Sequence, residues 1–338
     1  MSFEDIKGHA REKEILEKAI SAGRVAHSYL FTGPDGIGKR SLAREFAGAL
    51  NCGAGVGGGP GDAPCGVCAD CRLVRNGAHP NIVEVWPEDK DGVRTEAGLI
   101  RIGRVRELQD ALRFKAAGGK KVVIVDGADK MKQEAASALL KTLEEPPPDS
   151  VIILISAKPH TLLPTIISRC QRITFRPLTE ESVREFLVEH NMAAPDDSGR
   201  VARLSAGRVA SAVKYSGGGV FEKSIEIVER LRDLDRDDTA GLFALAGELS
   251  ARKDLEEVLE FLKLWCRDIL VYSEGAGGLM VNTGLEGFIK GAPGPMALVD
   301  SFSMIERALY DVTPPRYANK LLTMEALIMG LAGKGALI

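Results

Sequence analysis

The chain has 338 residues, of which 45% are hydrophobic and 27% charged, with a formal net charge of −3 and a pI near 6.1. This length predicts about two or three domains, and the balanced charge gives no overall basic surface for nucleic acid. No stretch approaches the ~20 consecutive apolar residues of a membrane span, and the first residues lack the apolar core of a signal peptide. We therefore expect a cytoplasmic globular protein.

A phosphate-binding loop follows the first predicted strand. Residues 28–32 form a short apolar run that enters the sequence GPDGIGKRS at residues 33–41, and residues 40–50 then show the apolar spacing of a helix. A G-x-x-x-x-G-K-[ST] loop between a strand and a helix holds phosphate through backbone N–H groups and its lysine. The candidate nucleotide-binding residues in this degenerate loop are Gly33, Gly36, Gly38, Lys39 and Ser41.

One position of the loop departs from the pattern. Arg40 stands where a hydroxyl ligates magnesium in working P-loops. Ser41 does not simply replace that hydroxyl, because one residue along a helix turns the side chain by about 100°. We predict that ATP or ADP binds weakly or not at all and is hydrolysed poorly. The alternative is a loop whose glycines now serve only the tight turn.

A cysteine cluster follows a glycine-rich insertion at residues 53–64. Its C-x12-C-x2-C-x2-C spacing suits a structural zinc ion, because four thiolates fill a tetrahedral site completely. An iron–sulfur or redox centre is the alternative. His79 could replace one ligand, although a surface histidine is the simpler interpretation. The candidate metal ligands are Cys52, Cys65, Cys68 and Cys71.

Alternating strands and helices continue to about residue 177. Strands are predicted at residues 82–86, 121–126, 151–156 and 172–175, and helices at residues 99–112 and 133–145. Asp126 ends the third strand, where a carboxylate orients magnesium in P-loop enzymes, unless it is merely a strand-end residue. Gly127 occupies the place of a water-activating glutamate, and Asp129 lies two residues beyond that place.

The rest of the chain shows no convincing strand. We predict a nucleotide-binding-like α/β domain at residues 1–177 with a zinc module at about 52–80. A small helical domain at residues 178–218 and a larger helical domain at residues 219–338 would follow.

Four segments together resemble the bacterial clamp-loader subunits of the DNA polymerase III holoenzyme. They are the loop at 33–41, the cysteine module at 52–71, the sequence ALLKTLEEPP at 138–147 and the tripeptide Ser-Arg-Cys at 168–170. The resemblance covers at least residues 1–178. It implies an AAA+ fold, with a RecA-like parallel sheet carrying the P-loop, a helical lid and an all-α C-terminal collar through which five subunits assemble.

Departures from the motor subunits favour the delta-prime type over the ATP-hydrolysing gamma/tau type. Besides Arg40 and Gly127, the sensor 1 position holds Ala157 and the sensor 2 position holds Ala210, with Arg208 out of register. Each such loss typically costs ~10²–10⁴-fold in rate, so turnover by this chain alone is implausible and its status as an enzyme is left open.

The resemblance also assigns a role to Arg169 of the Ser-Arg-Cys motif. It implies an arginine finger that acts in trans on a neighbour's ATP, which can be worth ~10³–10⁵ in rate. The implied partners are gamma/tau and delta subunits in a heteropentamer, the sliding clamp, and primer-template DNA through the assembly.

Two alternatives stay open at this point. The first is an active gamma/tau-type ATPase that uses Asp129 or a partner as the missing base. The second is a zinc-containing module that itself binds nucleic acid, for which Arg72 and Arg75 would be the obvious contacts.

Overall fold

The computed structural model describes residues 3–53, 64–95, 98–116, 118–217, 220–233, 237–282, 293–313 and 318–334. The glycine-rich insertion predicted at 53–64 falls mostly on residues 54–63, outside the described residues. The chain divides into two compact units, residues 1–186 with 207–210 and residues 187–206 with 211–338. No helix in the described ranges is long and apolar enough to cross a membrane.

The first unit contains a parallel sheet of five strands. They are β1 (Ser28–Thr32), β2 (Ile82–Val85), β3 (Lys121–Asp126), β4 (Ser150–Ser156) and β5 (Gln171–Thr174). The strand order is β2-β3-β4-β1-β5, and all neighbours run parallel. Thr32 at the end of β1 pairs with Ser156 on one side and Thr174 on the other. The carboxyl ends of these strands therefore meet at one edge, where the P-loop begins.

Helices cover both faces of this sheet. They are α1 (Ala10–Ser21), α2 (Lys39–Ala49), α3 (Ala69–Arg75), α4 (Ile102–Arg113), α5 (Gln133–Glu144) and α6 (Pro164–Ile167), and α7 (Glu180–Glu189) follows. Tyr29 and Phe31 belong to the apolar cluster on one face and Leu30 to the cluster on the other. Because burying such side chains stabilises by about 1.5–3 kcal/mol each, β1 is anchored from both sides.

The predicted elements agree closely with these bounds, apart from the start of α4. The helix predicted at residues 99–112 begins at Ile102. Leu99 and Ile100 instead form β-bridges, Leu99 with Glu88 and Ile100 with Met131. The apolar residues at 99 and 100 extended the helical pattern without belonging to the helix.

Later helices are α8 (Pro195–Leu204), α9 (Val209–Ser216), α10 (Val220–Asp233), α11 (Thr239–Ala251), α12 (Leu255–Ser273), α13 (Pro295–Val312) and α14 (Lys320–Lys334). Buried apolar residues of α10 to α14 form a single core in the second unit. The fully buried Asp268 of α12 accepts hydrogen bonds from the backbone N–H groups of Val281 and Asn282, at 2.9 and 2.7 Å. This carboxylate fixes the segment that follows α12.

Candidate functional site

The P-loop spans the gap between β1 and α2. Gly36 has a φ of 74°, and a Cβ added to it would lie 2.9 Å from the Cβ of Ala210. Glycine is therefore required there for both its backbone conformation and its lack of a side chain. The Gly33 N–H donates to the carbonyl of Ser156 at 3.3 Å, which ties the loop to β4.

Lys39 lies at the first turn of α2 and is buried, with 4% of its side chain exposed. Its Nζ donates to the carbonyl oxygens of Gly33 and Pro34, at 2.6 and 2.5 Å, and lies 3.8 Å from Oδ1 of Asp35. Burial lowers the pKa of Lys39, and the charge of Asp35 opposes that shift. A phosphate entering the loop would compete with these carbonyls for the ammonium group.

A cavity of about 430 Å³ opens beside the loop, within the ~300–1,000 Å³ range typical of small-molecule sites. It brings together most of the nucleotide-binding residues predicted from the sequence. Those that line it are Gly36, Gly38, Lys39, Ser41 and Asp126, whereas Gly33 stands just before it in the loop.

Arg40 also lines the cavity and is held by a carboxylate of β2. Its Nε and Nη2 donate to Oε2 of Glu84, at 3.0 and 2.6 Å, and Arg44 donates to the other oxygen, Oε1. The Nε of Arg40 also lies 3.8 Å from Oδ2 of Asp126. The guanidinium therefore occupies the region between the P-loop helix and the strand-end carboxylate, where a metal would be held in a working site.

A second guanidinium reaches the same carboxylate. The Nη2 of Arg94 donates to Oδ2 of Asp126 at 3.0 Å. Arg94 and Arg40 lie 5.2 and 5.8 Å from the centroid of the Trp86 ring, within cation–π range. Burial raises the pKa of Asp126, and the charges of Arg40 and Arg94 oppose that shift. Sequence reasoning missed Arg94, Glu84 and Trp86 because no local motif marks them.

This donor set does not fit a magnesium ion. Magnesium prefers oxygen ligands in near-octahedral geometry, and a guanidinium has no lone pair to offer. Arg40 therefore cannot ligate the ion, and the Asp126 oxygen that would approach it already accepts a hydrogen bond from Arg94.

The backbone after Asp126 disfavours a glutamate. Gly127 has a φ of 77°, and a Cβ there would lie 2.9 Å from Cγ of Pro87. Asp129, considered as a substitute base, lines the cavity, but its Oδ1 accepts the N–H of Ala157 at 3.2 Å. That contact ties the turn after β3 to the end of β4.

Ala210, the residue aligned with the sensor 2 position, lies beside the P-loop. Its N–H donates to the carbonyl of Gly36 at 3.0 Å, and the residue lines the cavity. Its methyl side chain brings no charge to the lining of the cavity. Arg208 is not among the lining residues.

The four cysteine sulfurs form a compact cluster in which all lie within 4.8 Å of one another. The Cys52–Cys68, Cys65–Cys71 and Cys52–Cys71 sulfur separations are 3.9, 3.9 and 3.7 Å. A tetrahedral zinc with bonds of about 2.3 Å places its sulfurs about 3.8 Å apart. Three of the six sulfur separations therefore match a tetrahedral zinc site, and the cluster could bind a zinc ion.

Backbone N–H groups support thiolates in the cluster. The Cys71 N–H donates to Sγ of Cys68 at 3.4 Å, and this hydrogen bond lowers the pKa of Cys68 to about 6. Backbone hydrogen bonds from Val67 and Cys68 lower the pKa of Cys65, whereas burial raises that of Cys71. A bound metal ion would hold all four cysteines as thiolates, because a cysteine must lose its proton to become a metal ligand.

His79 is buried, so the interpretation as a surface histidine is wrong. Its Nδ1 accepts the Asn81 N–H at 3.2 Å, and its Nε2 lies 3.5 Å from Oδ1 of Asp70. These contacts join α3 to the segment before β2. His79 is not part of the cysteine cluster.

Arg169 lies between α6 and β5, away from the cavity lining. Its Nη2 is 2.7 Å from Oε1 of Glu144, its Nη1 donates to the carbonyl of Thr165 at 3.0 Å, and 35% of its side chain is exposed. The Ser28 hydroxyl donates to the Arg169 carbonyl at 2.6 Å, which fixes this backbone to β1. The backbone of Arg169 is therefore fixed, whereas its side chain is partly exposed to solvent.

A buried histidine beneath the P-loop was also missed. The Nε2 of His9 forms a 2.7 Å hydrogen bond with the Ile37 carbonyl, and its ring packs edge-on against Phe175 at 5.0 Å. Burial lowers the pKa of His9. As donor to a carbonyl, the neutral ring helps to hold the loop in place.

The strand, glycine loop and helix on a parallel sheet define an α/β protein of the P-loop class. Residues 8–179 match the family model described as "DNA polymerase III, delta subunit". Because this match covers half of the chain, the protein belongs to the DNA polymerase III delta subunit family.

Relatives of two kinds are similar to this chain. The tau subunit of DNA polymerase III from Bacillus subtilis (strain 168) is 31% identical over 303 residues, covering 81% of this chain and 51% of that protein. The delta' subunit of the same organism is 35% identical over 230 residues, covering 66% and 64%. The delta' subunit of Pseudomonas aeruginosa is 38% identical over 215 residues, covering 62% and 61%. The chain thus spans about half the length of that tau subunit.

Among solved structures, a gamma subunit-related protein from Thermotoga maritima has a TM-score of 0.43 and 23% identity, covering 94% of this chain and 99% of that chain.

Proposed function

We propose that this chain is a non-hydrolysing delta'-type subunit of the bacterial DNA polymerase III clamp loader. In this role it supplies Arg169 as an arginine finger to a neighbouring ATPase subunit and helps load the sliding clamp onto primed DNA. The observation that carries the proposal is the substitution of Arg40 for the magnesium ligand, paired with Glu84 and facing Asp126.

Three further positions support the absence of hydrolysis. Gly127 leaves no side chain to activate water, Ala157 offers only its backbone, and Ala210 brings no charge to the P-loop. Each loss removes a different contribution to the transition state, namely a general base or a charge-stabilising group. Their combination in one site supports a subunit that does not turn over ATP.

The environment of Arg169 supports a role in trans. Its pairing with Glu144 involves a carboxylate that is 48% exposed, and exposed ion pairs are worth only about 0–1 kcal/mol. Turning the guanidinium from Glu144 to a neighbour's γ-phosphate would therefore cost little. Its planar fork suits bidentate contact with phosphate oxygens.

The assembly and cofactors belong to the same proposal. The partners are gamma/tau and delta subunits in a heteropentamer, the sliding clamp, and primer-template DNA, all in the cytoplasm. Residues 178–218 form the lid and residues 219–338 the collar through which subunits assemble. A structural zinc held by the four cysteines stabilises the module at about 52–80, whose described residues include few buried apolar side chains besides cysteines.

The proposal is tested by reconstituting the complex with its partners, clamp and primed DNA. We expect Arg169→Ala to slow single-turnover hydrolysis at the adjoining site by about 10³-fold or more. Arg113→Ala is a charge-matched control on α4, because this 78% exposed residue pairs with Asp110 of its own helix. Unchanged hydrolysis with Arg169→Ala would refute the finger.

Glu144→Gln separates a finger from a merely structural pair. If the Arg169–Glu144 pair matters only for folding, both variants should impair the complex alike. A finger predicts that Glu144→Gln keeps full activity, because the arginine is retained. The rival function, an active gamma/tau-type ATPase, predicts magnesium-dependent hydrolysis by the purified chain, whereas we expect a negligible rate.

A further inference from the structure

Two guanidinium groups converge where a P-loop site holds its magnesium. Arg94 and Arg40 lie 3.0 and 3.8 Å from the same oxygen, Oδ2 of Asp126. They come from different elements, since Arg40 is on α2 and Arg94 is in the segment after β2. Their meeting is therefore a property of the tertiary structure.

The carboxylates at this place do not neutralise the arginines fully. Glu84 is shared between Arg40 and Arg44, and Asp126 between Arg40 and Arg94. Three guanidinium charges thus face two carboxylate charges. Elsewhere in the lining, Asp35 and Asp129 are matched in number by Lys39 and Lys130. Burial lowers the pKa of Arg94 most, and the charge of Arg40 lowers it further, whereas the charges of Asp126 and Glu84 oppose the shift. An anion placed beside the two arginines would relieve the repulsion between them.

The same cavity offers further groups that bind phosphate. Lys39 and the amino end of α2 face it from the loop, and Lys130 lines it after β3. A guanidinium carries five N–H donors, of which the neighbouring carboxylates engage two on Arg40 and one on Arg94. Arginine binds phosphate oxygens through two parallel hydrogen bonds. The cavity is therefore equipped for a multiply charged phosphate group.

We propose that this cavity binds a phosphoanhydride, either a nucleoside diphosphate or triphosphate or inorganic pyrophosphate, as its metal-free anion. The guanidinium groups of Arg40 and Arg94 neutralise the charge that magnesium neutralises in other P-loop sites. Magnesium then weakens binding, because it removes negative charge from the ligand and would be repelled by the two arginines. This inference goes beyond the proposed function, which requires no ligand in this cavity.

The test is calorimetric titration of the full-length chain with ADP and with pyrophosphate, in EDTA and in excess magnesium. We expect both ligands to bind at least about 10-fold more tightly in EDTA. Arg94→Gln should weaken binding in EDTA by about 10- to 100-fold, the range for loss of a charged hydrogen bond. Arg113→Gln, which removes an equal charge outside the cavity lining, should leave binding unchanged.

Arg40→Thr gives a second, sharper test because it restores the magnesium-ligating hydroxyl. We expect this variant to lose the preference for EDTA and to bind ADP better with magnesium. Circular dichroism checks that each variant is folded. If Arg40→Thr does not fold, Arg94→Gln alone tests the proposal.

Three outcomes would overturn the proposal: no binding at millimolar ligand in EDTA, binding that requires magnesium, or an unchanged preference in folded Arg40→Thr. If ADP binds and pyrophosphate does not, the ligand is a nucleotide. If both bind equally, the cavity recognises the diphosphate group alone. Because no partner subunit is present, failure here leaves the clamp-loader proposal standing.

Discussion

The backbone at Gly127 predicts that the missing glutamate cannot be restored by substitution. An L-residue in the left-handed region costs about 1–2 kcal/mol, and the φ of Gly127 is 77°. A Cβ at 2.9 Å from Cγ of Pro87 forces a local shift, for which overpacking costs of about 1–3 kcal/mol are typical. Replacing glycine by alanine also lowers the conformational entropy of the unfolded chain, which stabilises the folded protein by about 0.4–1 kcal/mol. We expect Gly127→Ala to lower the free energy of unfolding by about 1–4 kcal/mol.

The urea dependence of hydrogen exchange in peptides that cover β3 measures this change, because it reads the first unit alone. Gly103→Ala is the matched control. A Cβ on Gly103, within α4, meets no atom within 4 Å, so this variant should be stabilised by up to about 1 kcal/mol. A Gly127→Ala protein as stable as the unsubstituted chain would refute the reasoning.

Gly127→Glu extends the same prediction to catalysis. We expect no magnesium-dependent ATP hydrolysis by this variant, since Arg40 still occupies the position of the metal-ligating hydroxyl. Hydrolysis above the level of the unsubstituted chain would show that Gly127 alone accounts for the lost activity.

Two further predictions concern His9 and the cysteines. Burial holds the pKa of His9 below its ordinary 6.5. His9 therefore binds a proton more readily in the unfolded chain than in the folded protein. The contribution of His9 to the free energy of unfolding is full above about pH 6.5 and decreases as the pH falls below that value. The drop in unfolding free energy between about pH 7.5 and 5.5 should be smaller for His9→Gln, and equal drops would contradict this. Reduced protein should hold about one zinc per chain, and Cys68→Ala less than about half. Metal analysis checks this with Cys170→Ala, outside the cluster, as the control, and a zinc-free unsubstituted chain would count against the site.

Local patterns in the sequence predicted the five strands, the helices α2 and α5, and the cysteine cluster. The apolar run of β3 and the helical spacing of α5 are local patterns, because side-chain burial repeats with the geometry of each element. The P-loop and the cysteine spacing are equally local, since a phosphate or a zinc ion is held by residues close together in the chain. The four sulfurs lie together as predicted, and Lys39 and Asp126 line one cavity.

The surroundings of those residues depend on contacts between segments that are distant in the chain. Glu84 and Arg94 reach Arg40 and Asp126 across 30 or more residues of chain, and no periodicity or spacing encodes such a contact. His79 likewise is buried where α3 meets the segment before β2, a contact that the neighbouring proline in the sequence does not reveal. Arg40 could be recognised from sequence as the loss of a metal ligand. Its pairing with Glu84 and its position beside Arg94 follow from parallel strands that bring distant segments to one edge of the sheet.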